Sequence, residues 1–202
     1  VDRALAWLEA SPPTPFFLWL HLQDTHGPYA PDPDWTCPVG QNPAGPRLTL
    51  PIGSDASGHE AIPTYQVWDA ARELAEYGHR YDCELAGLDH QLGRLLSRTR
   101  DDPLLRNALV VVTADHGEEL MERGHVGHCS CNLMGTLYDE SIRVPLILRY
   151  PPRLKPGTVV DAQVSQIDIM PTLFEMHDLP RRAIGSVSAW ARLCIAVVAG
   201  SL

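Results

Sequence analysis

The chain has 202 residues, of which 45% are hydrophobic, and a formal net charge of −9. This length suits one domain with a substantial core. The acidic balance argues against a nucleic-acid-binding protein, which normally carries a basic surface. No run of about 18 apolar residues is present that could span a membrane, and the amino-terminal residues lack the layout of a signal peptide, so the compartment is not predicted.

In the first half of the chain, a helix over residues 3–10 is predicted to end at a Ser-Pro-Pro stop. A strand rich in aromatic and aliphatic residues follows over residues 16–23. Residues 24–67 are rich in Pro and Gly, which predicts a long loop, and such loops tend to be functional. Apolar residues then recur at steps of three and four over residues 67–98. This spacing predicts a long amphipathic helix, with Gly78 as a candidate interruption.

In the second half, the short β-branched run over residues 108–113 predicts a strand buried on both faces. A Gly- and His-rich loop reaches residue 136, and strands over 144–150 and 158–166 precede a helix over 168–179. Strands that alternate with helices predict an α/β fold with a mainly parallel sheet and helices on both faces. We expect strands 16–22 and 108–113 to be neighbours whose carboxyl ends meet at one edge, where ligands bind.

A carboxylate and an imidazole stand just beyond strand 108–113, at Asp115 and His116. The pair can coordinate a divalent metal, because Asp offers a hard oxygen and neutral His a nitrogen. Alternatively, Asp115 caps a helix that begins near Gly117, with Glu118 and Glu119 favourable in its first turn. These residues alone leave both interpretations open.

Two further groups of side chains strengthen the metal interpretation. Asp24 and His26 follow the first strand, and His125 and His128 lie in "GHVGH", a few residues past Asp115. Imidazoles in such positions suit binding of an oxyanion, proton donation to a leaving group, or metal ligation. The remaining histidines are expected to be structural: His21, His59, His79, His90 and His177.

An ordered set of motifs is similar to successive signatures of the sulfatase family, which belongs to the alkaline phosphatase superfamily. These are "FFLWLHLQDTHGPYAPD", "YDCELAGLDHQLGRLL", "LVVVTADHGEEL", "GHVGHC" and "LYDESIRVPLILR" followed by "QVSQIDIMPTLFEM". The resemblance extends over roughly residues 16–180. It predicts a partial sulfatase-like catalytic domain over residues 1–180, with an incomplete alkaline-phosphatase-like core, and a divergent tail over residues 181–202.

The resemblance implies a metal-dependent hydrolase whose substrate is a small-molecule or glycan sulfate ester. It also implies a divalent cation, usually Ca²⁺, and a formylglycine made from a cysteine or serine. Asp115 and His116 match two metal ligands of the family. Many members have Asn at the second position, and a nitrogen ligand there relaxes the preference towards Mn²⁺ or Zn²⁺.

Other site roles follow from the same motifs. His26, in "DTHGPY", matches a histidine that contacts the sulfate group. His128 matches a position that holds the sulfate or protonates the leaving oxygen. The stretch between His128 and "LYDE" is a few residues longer than usual, which leaves His125 as an alternative. Four residues of the last motif are expected to shape the loop and strand: Tyr138, Glu140, Arg143 and Pro145.

The family's nucleophile motif, Cys-x-Pro-x-Arg or Ser-x-Pro-x-Arg, does not occur in this sequence, nor does the acidic pair that precedes it. We therefore expect the formylglycine only in an amino-terminal segment outside these residues, and we expect this chain to be inactive alone. The five cysteines are expected to be mostly free thiols: Cys37, Cys83, Cys129, Cys131 and Cys194.

Alternative functions stay open at this point. One is hydrolysis of phosphonate or phosphate esters, as in other members of the superfamily. A phosphoglycerate-mutase-like relative is a further possibility within that class, although the "LYDESIRVPLI" segment disfavours it. Another is a non-catalytic remnant that binds anions. The sequence does not predict an oligomeric state.

Overall fold

A computed structural model describes residues 1–40, 48–69, 71–128 and 137–179, together with the backbone of residues 194–199. The helices are α1 (Asp2–Glu9), α2 (Leu74–Asp101), α3 (Asp139–Ile142) and α4 (Ile169–Met176). The strands are β1 (Phe16–His21), β2 (Leu109–Thr113), β3 (Glu119–Leu120), β4 (Val126–Gly127), β5 (Leu146–Arg149) and β6 (Cys194–Ala199). Among the residues described, no helix combines the length and apolar character needed to cross a membrane.

The central sheet differs from the predicted mainly parallel sheet. Its strand order is β1-β6-β2-β5, and each adjacent pair is antiparallel. β1 and β2 are therefore not direct neighbours, because β6 lies between them and runs in the opposite direction. β6 comes from the region predicted to be a divergent tail, whose apolar run gave no indication of where it would pair.

The two strands that precede the predicted site residues nevertheless end at the same edge. Because both are antiparallel to β6, β1 and β2 run parallel to each other. His21 at the end of β1 and Thr113 at the end of β2 both pair with Cys194. The predicted convergence of these strand ends is confirmed.

Helices cover both faces of this sheet, as predicted. Alternate side chains of β2 point to opposite faces. Val110 belongs to the core cluster that contains Leu8 of α1 and Leu95 of α2. Val111 instead packs in the cluster of Leu173 from α4.

The long segment before α2 builds a second core beside the sheet. Tyr29, Leu50 and Ile62 are buried with Tyr77 of α2 and Val126 of β4. The β3–β4 hairpin is therefore held against a packed cluster, although the sequence suggested only a loop here.

Two local predictions are corrected. α2 continues through Gly78 without interruption, because one glycine weakens a helix only modestly when its neighbours are packed. Residues 158–165 form no strand: Val159 and Val160 are 82% and 69% exposed, and no described strand pairs with them.

The free-thiol prediction is wrong for two of the cysteines. Cys37 and Cys83 form a disulfide with a Cα–Cα distance of 5.2 Å, across a sequence separation of 46 residues. The segment that contains Cys37 folds back onto α2, and this long-range contact has no local sequence signal. Cys129 and Cys131 lie outside the described residues, as do residues 180–193 of the predicted tail.

Substitution of Leu95 tests the packing of α2, because the Leu95 side chain is fully buried in the cluster beneath the sheet. Leu95→Ala should lower the free energy of unfolding by about 2–5 kcal/mol through the cavity that it leaves. Urea denaturation followed by circular dichroism measures this change. Leu85→Ala is the matched control, because Leu85 lies on the same helix but is 46% exposed, and its loss should be below about 1 kcal/mol.

Candidate functional site

Asp115 and His116 present two ligand atoms side by side just beyond β2. Asp115 Oδ1 accepts the backbone N–H of His116 at 3.0 Å. His116 Nδ1 lies 2.7 Å from the carbonyl oxygen of Gly117, and because a carbonyl can only accept, Nδ1 must carry the proton. The other ring nitrogen, Nε2, therefore presents a lone pair 3.6 Å from Asp115 Oδ2.

This pair fits part of a metal site. Two ligands that are each about 2.0–2.3 Å from one ion lie roughly 3–3.6 Å apart, as these two atoms do. The carbonyl that fixes the imidazole tautomer is the usual outer partner of a ligating histidine. Within the described ranges, no third His, Cys, Asp or Glu completes a group of three with them. The helix-cap alternative is wrong, because the chain enters the β3 strand instead of a helix.

His128 joins this pair to His26. The ring centroid of His128 is 4.1 Å from that of His116 and 5.3 Å from that of His26. Its Nδ1 lies 3.2 Å from Oε2 of Glu118, and the two side chains are only 9% and 6% exposed. The structure thus brings His26, His116 and His128 together, as the sequence predicted.

In all three histidines, Nδ1 is the ring nitrogen that contacts an oxygen of the protein. Nδ1 of His26 contacts the Gly27 carbonyl oxygen at 2.8 Å, just as Nδ1 of His116 contacts that of Gly117. Nδ1 of His128 contacts a carboxylate instead. With Nδ1 engaged in each ring, Nε2 is the nitrogen that can face a ligand.

His125 lies apart from this cluster. Its Nδ1 is 3.9 Å from Oε2 of Glu119, and its ring packs 5.0 Å from that of His59. Of the two alternatives in "GHVGH", the geometry therefore favours His128. The role of each residue remains a prediction.

A tight backbone contact fixes the Asp-His-Gly segment, and the sequence did not reveal it. The Gly117 N–H donates to the carbonyl oxygen of Ser141 at 2.7 Å. A Cβ on residue 117 would overlap the carbonyl oxygen of Glu140. The Ser141 hydroxyl also donates to Oε1 of the fully buried Glu119 at 3.2 Å. The "YDES" motif therefore holds the segment after Asp115 and His116 in place through contacts with Gly117 and Glu119. The sequence of the motif alone does not predict these contacts.

Glu84 holds the loop that carries His26. From α2, its carboxylate oxygens accept the backbone N–H groups of Thr25 at 3.1 Å and Ala30 at 2.6 Å. Burial raises the pKa of Glu84, and these two hydrogen bonds offset that rise only in part. Sequence reasoning missed this residue, because its partners lie more than 50 positions away.

Two adjoining cavities open around the cluster. One, of about 490 Å³, has His26 and Glu118 on its wall, and the other, of about 980 Å³, has His128. Asp115, His116 and Arg143 line both. Arg143 was expected only to shape the loop, but it also brings a positive charge to the wall of both cavities.

The motifs and the geometry agree with a comparison against known families. The model of the family described as Sulfatase matches residues 1–179. The chain belongs to the sulfatase family. The predicted family is confirmed, and with it the hydrolase class at the level of the family. The α/β class agrees with the fold that the family implies, whereas a parallel-sheet core is not confirmed.

Named sulfatases are similar to this chain over much of its length. Arylsulfatase K of Xenopus laevis is 27% identical over 200 residues, which cover 87% of this chain and 35% of that protein. Arylsulfatase A of Homo sapiens is 32% identical over 130 residues, 62% of this chain and 24% of that protein. Steryl-sulfatase of Mus musculus is 34% identical over 100 residues, 46% of this chain and 16% of that protein. The chain spans about a third of the length of the first of these relatives, and no solved structure matches it.

Gly117→Ala tests the contact between Gly117 and α3. The added methyl group must push the Glu140 carbonyl away, so the free energy of unfolding should fall by about 1–3 kcal/mol. Gly93→Ala is the matched control, because its Cβ meets open space on α2 and should stabilise the helix by about 0.5–1 kcal/mol. Chemical denaturation compares the two. Equal effects of the two substitutions would contradict the close approach.

Glu84→Gln tests the buried carboxylate through pH. With a raised pKa, the folded state keeps the Glu84 proton at pH values where the unfolded state has lost it. The free energy of unfolding must therefore fall as pH rises from about 4.5, the ordinary pKa, through the raised one. Glu84→Gln should remove this decline, as denaturation curves at several pH values would show. Glu9→Gln, at an exposed position of α1, should retain it.

Proposed function

We propose that this chain supplies the metal- and anion-binding part of a sulfate ester hydrolase active site. The observation that carries the proposal is the continuous contact of His26, His128 and His116 beside Asp115, at the shared edge of β1 and β2. Membership of the sulfatase family supports the substrate class. A small-molecule or glycan sulfate is the proposed substrate.

Asp115 and His116 are the proposed metal ligands, through Oδ2 and Nε2. Ca²⁺ is the cation that the family implies, and the nitrogen ligand also admits Mn²⁺ or Zn²⁺. A bound cation supplies Lewis-acid stabilisation of the negative charge on the sulfate group. The protein's own contribution is to hold the two ligand atoms 3.6 Å apart with the imidazole tautomer fixed.

His26 and His128 are the proposed contacts to the anion. Each has Nδ1 engaged by a carbonyl or carboxylate oxygen, so the remaining nitrogen, Nε2, donates a hydrogen bond to a sulfate oxygen when the ring carries both protons. His128 is also the proposed proton donor to the leaving oxygen, a role that suits imidazole. The Glu118 carboxylate stabilises the protonated ring before transfer.

The covalent step requires a group from outside these residues. The sequence has no Cys-x-Pro-x-Arg or Ser-x-Pro-x-Arg motif, so the proposed formylglycine nucleophile belongs to a segment that these residues do not include. Without a nucleophile, only binding and charge stabilisation remain to accelerate hydrolysis. The isolated chain would then behave as an anion-binding module.

Metal binding tests the proposed ligands without requiring activity. The electron paramagnetic resonance signal of free Mn²⁺ should decrease when the 202-residue chain is titrated into it. Asp115→Asn should weaken this binding by at least about tenfold. His125→Ala is the matched control, because it removes a histidine from the same hairpin region but outside the cluster, and it should leave the affinity unchanged. Equal weakening by both variants would refute the proposed ligand pair.

Turnover tests the missing nucleophile. The purified chain, supplied with Ca²⁺ or Mn²⁺, should not hydrolyse an aryl sulfate or an aryl phosphonate at the rate of an ordinary enzyme, about 1 per second or faster. Metal-dependent turnover at such a rate would show that the chain contains a complete site. Activity that appears only when an amino-terminal sulfatase segment with Cys-x-Pro-x-Arg is joined to it would support the proposal.

A further inference from the structure

A second group of metal-ligating side chains lies on α2, built from Cys37, His79 and Cys83. Their ligand atoms all lie within 4.8 Å of one another. His79 and Cys83 are four residues apart on the helix, which places them on one face. Cys37 reaches the same point from the preceding loop and forms the disulfide with Cys83. The proposed sulfatase site uses none of these residues.

The distance between His79 and Cys83 matches that of a zinc ligand pair. His79 Nε2 lies 3.6 Å from the Cys83 sulfur. In a tetrahedral site with Zn–S of about 2.3 Å and Zn–N of about 2.0–2.1 Å, a nitrogen and a sulfur ligand lie about 3.5 Å apart. The imidazole already has this separation from the Cys83 sulfur, and the two sulfurs must move apart when the disulfide opens. Thiolate and imidazole ligands select Zn²⁺ over Ca²⁺.

We propose that Cys37, His79 and Cys83 bind a thiophilic divalent cation such as Zn²⁺ when their disulfide is reduced. A phosphine or dithiol reductant supplies two electrons, the S–S bond breaks, and each sulfur takes one proton. Binding of Zn²⁺ then releases both thiol protons, so the ion is held by two thiolates and the neutral imidazole. Water occupies the fourth position. The oxidised chain, whose sulfurs are bonded to each other, does not bind the ion in this way.

The site would preserve a cross-link in both redox states. Cys83 precedes Glu84, whose carboxylate holds Thr25 and Ala30. The disulfide fastens the other end of the same segment, at Cys37. A zinc ion in the reduced state would replace the covalent tie and keep this segment on α2. The inference does not depend on the proposed sulfatase activity.

Co²⁺ substitution tests the site in the full 202-residue chain. A background variant with Cys129→Ser, Cys131→Ser and Cys194→Ser leaves only Cys37 and Cys83 as sulfur ligands. After phosphine reduction, we expect a sulfur-to-cobalt charge-transfer band that saturates at one thiolate-bound Co²⁺ per chain, together with the visible bands of tetrahedral cobalt. Zn²⁺ should displace the cobalt, and the unreduced protein should show no such bands.

Variants identify the nitrogen ligand. His79→Ala should weaken Co²⁺ binding by at least about tenfold, whereas His90→Ala, on the same helix beside Trp35, should not change it. The proposal is overturned if the reduced chain gives no charge-transfer band or if His79→Ala binds like its parent. Circular dichroism provides an independent measurement: should reduction unfold the chain, Zn²⁺ must restore the helical signal, and failure to do so also overturns the proposal.

Discussion

The contact between Gly117 and the α3 segment is the constraint on which the arrangement of the site depends. The Gly117 N–H donates a hydrogen bond to the Ser141 carbonyl oxygen. Because Gly117 has no side chain, the Glu140 carbonyl can approach its Cα closely. This contact joins backbone to backbone, so rotation of a side chain cannot relieve a misfit. Asp115 and His116 lie immediately before the fixed point and Glu118 immediately after it. The proposed metal ligands and the Glu118 carboxylate beside His128 are therefore positioned by one contact.

The proposed anion site lies in a chain whose overall charge is unfavourable for binding an anion. A chain with a net charge of −9 repels an anion at long range, so attraction must come from groups close to the ligand. Protonated His26 and His128 would donate hydrogen bonds from Nε2 to an anion, and Arg143 adds a permanent charge to both cavities. A cation held by Asp115 and His116 would add the largest local charge. Anion binding here would rest on local geometry rather than on the overall field.

Local patterns predicted much of this site, because strand ends and their polar residues are encoded by neighbouring letters. The sequence therefore predicted that Asp115 and His116 follow the buried run of β2. It likewise predicted that His26 follows β1. Long-range contacts were not predicted. Nothing near Cys37 indicates that it meets Cys83, and nothing near Glu84 indicates the loop that it holds. The direction of β6 was equally hidden, because an apolar run specifies burial but neither its partner nor its orientation.

The helix α2 has a consequence for how the chain unfolds. Its 28 residues span about 42 Å at 1.5 Å per residue. Tyr77, near its amino end, belongs to the core of the loop segment, and Leu88 and Leu95, further along, belong to the core beneath the sheet. Neither core can open without exposing part of the same helix. The two cores are thereby coupled through one helix, and we expect the α2 amides packed in them to be among the slowest of the chain to exchange with solvent.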